Sequence, residues 1–502
     1  MRTLIELLDY ASAEYGERVA AVYRGDSLTY ADLARLVESF SRNLRARFDV
    51  GPGSRVALVM PNCIHSVICY LGVIRTGAVA VPVNIRLKAQ EMKFILQDAG
   101  AHVVIAHERT WPTVSKVIPD LPAVHALIGV ELDAEGVVPV EDLTRDGGED
   151  FPLPDLGPDD VAAIIYTSGT TGLPKGAMIT HGNILFNVKS TIRGHGFRPD
   201  DVHMLIVPLF HVTGLNTILP TSLHLGSTVV ITAQTNPSDV LGLIEQHRAT
   251  TLFAVPTTMI LLTRVSNLGD YDLSSLRLIA YSGAPMPVRV IERLRELFPD
   301  LLLHNFFGLT ETTSVTTVLP SEFALSHAES IGRLVPELQA KIVGPEGEEL
   351  GPGEVGELLI KGRSIVKGYH DRPEATAEAI VDGWLHTGDN AMIDADGFIF
   401  LRGRSRELII VAGENVYPVE VENVLTRHPK VAEAAAVGIA HDVLGQVVKA
   451  VVVPERGAEL TEREVKRHCT EHLASFKVPQ VVEFRDGLPR NPSGKVVKRD
   501  LA

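Results

Sequence analysis

Residues Thr167-Ser168-Gly169-Thr170-Thr171-Gly172-Leu173-Pro174-Lys175-Gly176 crowd hydroxyl side chains, glycines and one lysine into a short stretch that follows the apolar run Val161–Ile165. Glycine permits positive φ and close backbone approach, so peptide N–H groups in such a stretch can converge on an anion. The Ser and Thr hydroxyls add donors, and Lys175 adds a full positive charge. Together these features describe a cradle for a polyphosphate; taken alone, they also fit a polar surface loop. The spacing is not Gly-x-x-x-x-Gly-Lys-Ser/Thr, because Pro174 precedes the lysine and Gly176 follows it, so the chemistry is not that of a P-loop ATPase. Two other groups are silent in isolation. Thr310-Glu311 alone reads as a helix cap, and Lys495 alone reads as a solvated charge.

The elements that must position these residues alternate. Short β-branched runs, Arg55–Met60, Ala78–Pro82, His102–Ala106, Val161–Tyr166, Ser227–Ile231 and Thr251–Val255, are separated by helix-length segments such as Ile64–Thr76 and Pro237–His247. Strand and helix at this spacing predict α/β layers with largely parallel sheets. From about Leu338 to Arg402 the strands shorten, and Asp394-Ala395-Asp396-Gly397 before Phe398–Leu401 predicts a hairpin. Beyond Arg404 the pattern returns to compact α/β, with helices over Val419–Arg427 and Thr461–Leu473. At 502 residues the chain is long enough for more than one core. Its net charge of −15 argues against a nucleic-acid partner and requires a local basic site for any anionic ligand. Cys63, Cys69 and Cys469 are too scattered for a disulfide framework, which places the protein in a reducing, cytoplasmic setting. Met1–Tyr10 reads as an amphipathic helix rather than a signal peptide, and the apolar runs fall short of the ~18 residues that span a bilayer.

Thr167–Gly176 resembles the signature loop of the adenylate-forming superfamily, which includes acyl-CoA synthetases, peptide-synthetase adenylation domains and beetle luciferases. Further motifs follow in that family's order over almost the whole chain: Leu28-Thr29-Tyr30, Gly77–Pro82, Pro208–His211, Ser282–Pro285, Asn305–Glu311, Gly383–Asp389, Gly403-Arg404, Gly413–Pro418 and Pro492–Lys495. The resemblance implies a large N-terminal region, residues 1–403, with two parallel-rich sheets and a small β-barrel-like part. A small mobile α/β domain, residues 404–502, would follow a hinge near 403–406.

The resemblance also implies a two-step reaction. A carboxylate attacks the α-phosphate of ATP to give an acyl-adenylate and pyrophosphate, and a thiol then takes the acyl group. Glu311 resembles the Mg²⁺ ligand, with Thr167 beside the ion and Thr310 at the α-phosphate. Thr167, Ser168, Gly169, Thr170, Thr171, Gly172 and Lys175 match the phosphate loop. Gly283, Ala284, Pro285, Asn305, Phe306, Phe307 and Gly308 match positions around the base, Phe307 standing where the family usually has tyrosine. Asp389 and Arg404 match the ribose contacts. Lys495 matches the lysine that bridges carboxylate and α-phosphate in the first step, Gly413 a position along the coenzyme A channel, and His211 a gate to the acid. Arg406 replaces the usual Asp or Lys of the hinge. Val212, Gly214, Tyr281 and Thr313 join His211 and Gly308 as candidate lining of the acid pocket.

Two motif-like strings lack their context. Gly351-Pro-Gly-Glu-Val-Gly356 fits a dinucleotide fingerprint, but a strand pattern follows it rather than a helix. His468-Cys-Thr-Glu-His472 fits an inverted zinc-protease string without a third ligand downstream, so it reads as part of an ordinary exposed helix. The chain ends soon after Lys495, so no fused carrier domain is expected. His211 favours a fatty or aryl acid over an amino acid. The expected function is therefore acyl-CoA synthesis with ATP, Mg²⁺ and coenzyme A. A stand-alone enzyme that loads a separate carrier protein, and a homodimeric assembly, remain open.

Overall fold

The computed structural model describes every residue except 168–172, 285, 405–406, 412–413, 442–443, 474 and 492–493. Ser168, Gly169, Thr170, Thr171, Gly172, Pro285, Arg406 and Gly413 lie outside the described residues, as does the side chain of Arg404. Two large sheets dominate the N-terminal region. The seven-stranded sheet runs 138–139, 126–130, 103–107, 55–59, 79–82, 161–167, 175–180 across its width. It is parallel except for its last pair, in which Val161–Thr167 runs antiparallel to Lys175–Thr180. Strand Val103–His107 is buried at all five positions, as the apolar run Val103–Ala106 in a helix-covered parallel sheet should be.

The nine-stranded sheet has a parallel centre, Leu302–Phe307, Leu278–Tyr281, Thr251–Ala254, Val202–Leu205, Thr228–Ile231 and Val19–Tyr23, with antiparallel strands at both ends. The alternation predicted parallel sheets but gave no sign that residues 19–23, near the start of the chain, pair with 229–231. Helix His181–His195 begins at Thr180, whose hydroxyl accepts from Asn183 N–H while the Asn183 side chain accepts from Thr180 N–H. Asn183 also donates to the carbonyls of Arg363 and Ile365 at 2.8 and 2.9 Å, tying this helix start to the next sheet.

That next sheet is antiparallel: 339–343, 356–361, 384–393 and 380–381, with 399–404 on the far side of 384–393. The hairpin expected at Asp394–Gly397 is present, with Asp394 N–H donating to the Phe398 carbonyl. Gly351–Gly356 occupies a turn before strand Gly356–Lys361, with no helix after it. The C-terminal domain does contain helices and strands, but its sheet is mostly antiparallel, built on the long pair Val431–His441 and Gly445–Pro454; among the described residues only Val481–Phe484 joins in parallel. Its core gathers Val421, Leu425, Val448, Ala450, Val465 and Cys469. In helix Glu462–His472 the His468 and His472 rings each donate to a backbone carbonyl, of Val424 and His468 respectively, and Glu471 joins them in a cluster whose ligand atoms lie within 4.8 Å of one another. Among the described residues no helix is long and apolar enough to cross a membrane. The three cysteines are free and buried.

The interior holds several neutral histidines. Burial pushes His181, His203 and His304 down to about 4, and His195 well below its ordinary value. Folded values below the unfolded ~6.5 mean that the unfolded chain binds more protons between these limits. The associated stability is present above pH ~6.5 and is lost as pH falls toward 4, at about 1.4 kcal/mol per pH unit for each fully titrating ring. His203 bonds Thr251 Oγ1 at 2.7 Å and Ser227 Oγ at 3.0 Å. A urea titration series is expected to show midpoints falling steeply from pH 6.5 to 5, with a shallower slope for His203→Gln; an unchanged slope in that variant would contradict the assignment.

Candidate active site

Residues from four separate stretches meet where the two large sheets and the antiparallel sheet abut. Strand Lys175–Thr180 continues sideways into the segment Lys367–His370: Lys367 N–H donates to the Met178 carbonyl at 3.0 Å, Met178 N–H to Gly368 at 2.9 Å and His370 N–H to Gly176 at 2.8 Å. This ladder sets Tyr369 between two charged residues. Its hydroxyl donates to Glu311 Oε1 at 2.9 Å, and Lys175 Nζ lies 5.1 Å from its ring centroid. Lys175, Tyr369 and Glu311 therefore form one continuous line. Tyr369 carried no motif in the sequence, because only the backbone ladder brings it to Lys175. Thr167, at the end of its strand, is half-buried and makes a long 3.5 Å contact to the Lys175 carbonyl.

Glu311 sits in a short 3₁₀ turn, Thr310–Thr312, directly after strand Leu302–Phe307. The turn is held in an unusual shape: Thr313 and Ser314, neither of them glycine, have φ of 54° and 86°. Such conformations persist only where the surroundings over-determine them. Here Thr312 Oγ1 accepts from Leu309 N–H at 2.9 Å, Thr313 Oγ1 donates to the Ser364 carbonyl at 2.8 Å, and Val366 N–H donates to the Glu311 carbonyl at 3.0 Å. Gly308 makes the turn possible, since a Cβ at that position would lie 1.3 Å from the Ser314 carbonyl oxygen.

Asn305 and Phe306 are buried in the same strand, and the Asn305 amide donates to the Ser330 carbonyl at 3.0 Å. Phe307 is half-buried and packs on the core of the antiparallel sheet. Gly283, with φ of 86°, and Ala284 are exposed just beyond strand Leu278–Tyr281. Asp389 is 6% exposed and stands opposite Arg404 in strand register. Its backbone is fixed by Thr387 Oγ1, which accepts from Asp389 N–H at 3.1 Å and donates to the Leu358 carbonyl at 2.6 Å. Buried Asp389 and Glu311, held by Tyr369, are carboxylates of the kind that a hard cation takes as ligands, and Gly283 presents exposed backbone.

His211 opens the segment leading into the π-helical turn Gly214–Ile218, a type of turn often found at functional sites. Its ring is solvent-accessible yet walled by protein. Burial first, and then the positive charge of Lys495, push its pKa down to about 4. Thr213 N–H donates to His211 Nδ1 at 3.3 Å, so the ring is neutral at pH 7 with its hydrogen on Nε2. Lys495, in the C-terminal domain, is thus near enough to His211 to affect its charge, and the same domain is held to the N-terminal region by Arg264 and Arg289 on Glu455. Lys495 follows Gly494, whose φ is 86°, in a turn where Gly494 N–H donates to the Asn491 carbonyl at 2.8 Å and Lys495 N–H to Asn491 Oδ1 at 2.9 Å. The turn is anchored by Lys498, which pairs with Glu422 at 2.7 Å and Glu407 at 3.2 Å. Burial alone would lower the Lys498 pKa, but the two carboxylates outweigh it and hold the value above normal.

The chain matches known proteins over nearly its whole length. Residues 8–370 match the family model for AMP-binding enzymes, and residues 420–495 match that for the AMP-binding enzyme C-terminal domain. The chain belongs to the AMP-binding enzyme family. It is 38% identical over 486 residues to a feruloyl-CoA synthase of an Amycolatopsis species, with 96% of this chain and 95% of the relative covered. It is 33% identical over 532 residues to a long-chain-fatty-acid–CoA ligase of an Escherichia coli O6:H1 strain, covering 100% of this chain and 94% of the relative. The crystal structure of the anthranilate CoA ligase AuaEII with anthranoyl-AMP superposes with a TM-score of 0.91 at 25% identity, over 99% of this chain and 96% of that one.

Proposed function

We infer that the protein is an ATP-dependent, AMP-forming acyl-CoA ligase, and we propose that its acid is aromatic with polar ring substituents. The observation that carries the reading is the line of Lys175, Tyr369 and Glu311 in a chain whose residues 8–370 and 420–495 match the two AMP-binding enzyme models. In the first step a carboxylate oxygen bonds to the α-phosphorus of ATP and the bond to pyrophosphate breaks. In the second the coenzyme A sulfur bonds to the acyl carbon, and AMP leaves. Both steps demand positioned positive charge more than covalent help from the protein.

On this proposal the 168–172 loop and Lys175 hold the terminal phosphates, and Thr310 faces the α-phosphate. Glu311, oriented by Tyr369, holds Mg²⁺, which supplies charge neutralisation at the phosphates. Asp389 and Arg404 take the ribose, while Gly283, Ala284 and the Asn305–Gly308 strand flank the base. Lys495 bridges the acid's carboxylate and the α-phosphate. His211, neutral, offers Nε2–H at the mouth of the acid pocket. The boundary between the two domains is proposed at 403–404, with Gly413 along the coenzyme A path, and the cytoplasm is the proposed place of action.

The ring preference is supported by the likeness to ligases of aromatic acids: the anthranilate CoA ligase with anthranoyl-AMP superposes with a TM-score of 0.91. The higher identity to the feruloyl-CoA synthase, 38% against 33% for the fatty-acid ligase, points the same way. Pyrophosphate release measured across hydroxycinnamic, benzoic, medium-chain and long-chain acids is expected to give hydroxycinnamic acids a kcat/KM at least ~10-fold above any fatty acid. A preference for palmitate would overturn the ring assignment. Acyl transfer only to a phosphopantetheinylated carrier protein would overturn coenzyme A as the acceptor.

A further inference from the structure

One end of the C-terminal sheet is fastened to the N-terminal region around the Glu455 carboxylate. Glu455 directly follows strand Gly445–Pro454, and its N–H donates to the Lys430 carbonyl at 2.8 Å, which fixes it beside the start of strand Val431–His441. Two arginines from the N-terminal region close on it. Arg264, just past helix Pro256–Leu262, places Nη2 at 2.9 Å from both Glu455 carboxylate oxygens. Arg289, on helix Val288–Leu297, donates from Nη2 to Glu455 Oε1 and to the Val431 carbonyl, each at 3.0 Å. A further pair, Arg427 with Glu329, joins the same two bodies nearby. This docking belongs to the orientation in which the charge of Lys495 reaches His211.

We propose that Glu455, gripped by Arg264 and Arg289, is a latch that holds the C-terminal domain in the orientation that presents Lys495 for adenylate formation, and that opening the latch is part of the passage to thioester formation. The inference rests on the role proposed above for Lys495. The charges are suited to a reversible catch. The side chains of Glu455, Arg289 and Arg264 are 23%, 36% and 52% exposed, so water can replace the protein contacts when the domain swings away. A buried pair would be far harder to open. The shared carboxylate couples the two arginines, so losing either one weakens the other's hold. Arg289 bonds backbone as well as side chain, which makes the grip specific to one position of the sheet end.

The experiment separates the two half-reactions of the full-length protein. Glu455→Gln is expected to slow the pyrophosphate burst from acid and ATP by about three- to ten-fold, the range open to a partly exposed charge network. Formation of the thioester from preformed acyl-adenylate and coenzyme A should be unchanged or faster. Arg264→Met/Glu455→Gln should be little worse than Glu455→Gln alone, and added salt should slow the burst of the wild type more than that of Glu455→Gln. Energy transfer between one dye on each domain should report a lower population of the docked orientation in Glu455→Gln. Equal loss in both half-reactions, or no change in either the burst or the energy transfer, would overturn the latch. A wild type that releases no pyrophosphate with any acid would instead sink the proposed function, and the energy-transfer comparison would still decide whether Glu455 holds the domains together.

Discussion

Lys495→Ala is expected to slow adenylate formation by about 10²–10³-fold, the loss typical of removing one preorganised charge at a site of developing negative charge. Conversion of preformed acyl-adenylate to thioester should stay within a few-fold of wild type. The asymmetry follows from where the lysine stands. It projects from a turn that is braced by Asn491 on one side and by the Lys498–Glu422–Glu407 cluster on the other, and its charge is felt by His211 on the opposite body. Its position is thus tied to domain docking, and only the step carried out in that docking depends on it. Stopped-flow pyrophosphate release and a separate thioester assay measure the two steps. Similar losses in both would mean that Lys495 serves the fold of the C-terminal domain rather than the first chemical step.

Gly308→Ala is expected to have an effect of comparable size by a different route. The new methyl carbon would fall 1.3 Å from the Ser314 carbonyl oxygen and 2.3 Å from its carbon, both backbone atoms that cannot swing away as a side chain could. The 310–312 turn must shift to make room, carrying Glu311 off Tyr369 and opening the Thr313–Ser364 contact. A displacement of about 1 Å in a positioned group costs roughly 10²-fold in rate, and backbone strain of this kind also lowers stability. Gly242→Ala is the natural control. It sits within helix Pro237–His247, where an added Cβ meets nothing within 4 Å, and it should leave both activity and melting temperature near wild type. Normal adenylation by Gly308→Ala would show that this turn does not position Glu311 for chemistry.

The sequence made some parts of this molecule legible and hid others for identifiable reasons. Short strands rich in apolar residues, such as 103–107 and 251–254, were recognisable because burial on both faces of a parallel sheet demands them. The long C-terminal strands carry uneven signals along their length. Residues such as Gly438, His441 and Gly445 extend them because a partner strand lies alongside, not because their own propensity favours it. The strand carrying Asn305–Phe307 was noticed as a motif and not as an element, since Asn305 is a poor strand former whose amide is satisfied by the Ser330 carbonyl. Lys175 was readable as a charge near glycines. That it opens an antiparallel strand, and that Tyr369 stands between it and Glu311, depends on pairing with residues almost two hundred positions away. The docking of Glu455 has no local signature at all, because a glutamate after a strand looks like any solvated acid until two arginines from other elements meet it.

The central claim is that ATP with its cation is held where the Lys175–Tyr369–Glu311 line meets Asp389 and the C-terminal domain. A crystal structure of the protein with a non-hydrolysable ATP analogue and Mg²⁺ tests it most directly. The account predicts the metal on Glu311, the ribose hydroxyls on Asp389 and the terminal phosphates against the 168–172 loop and Lys175. A nucleotide bound elsewhere, or bound here with Glu311 and Asp389 both out of reach of it, would contradict it.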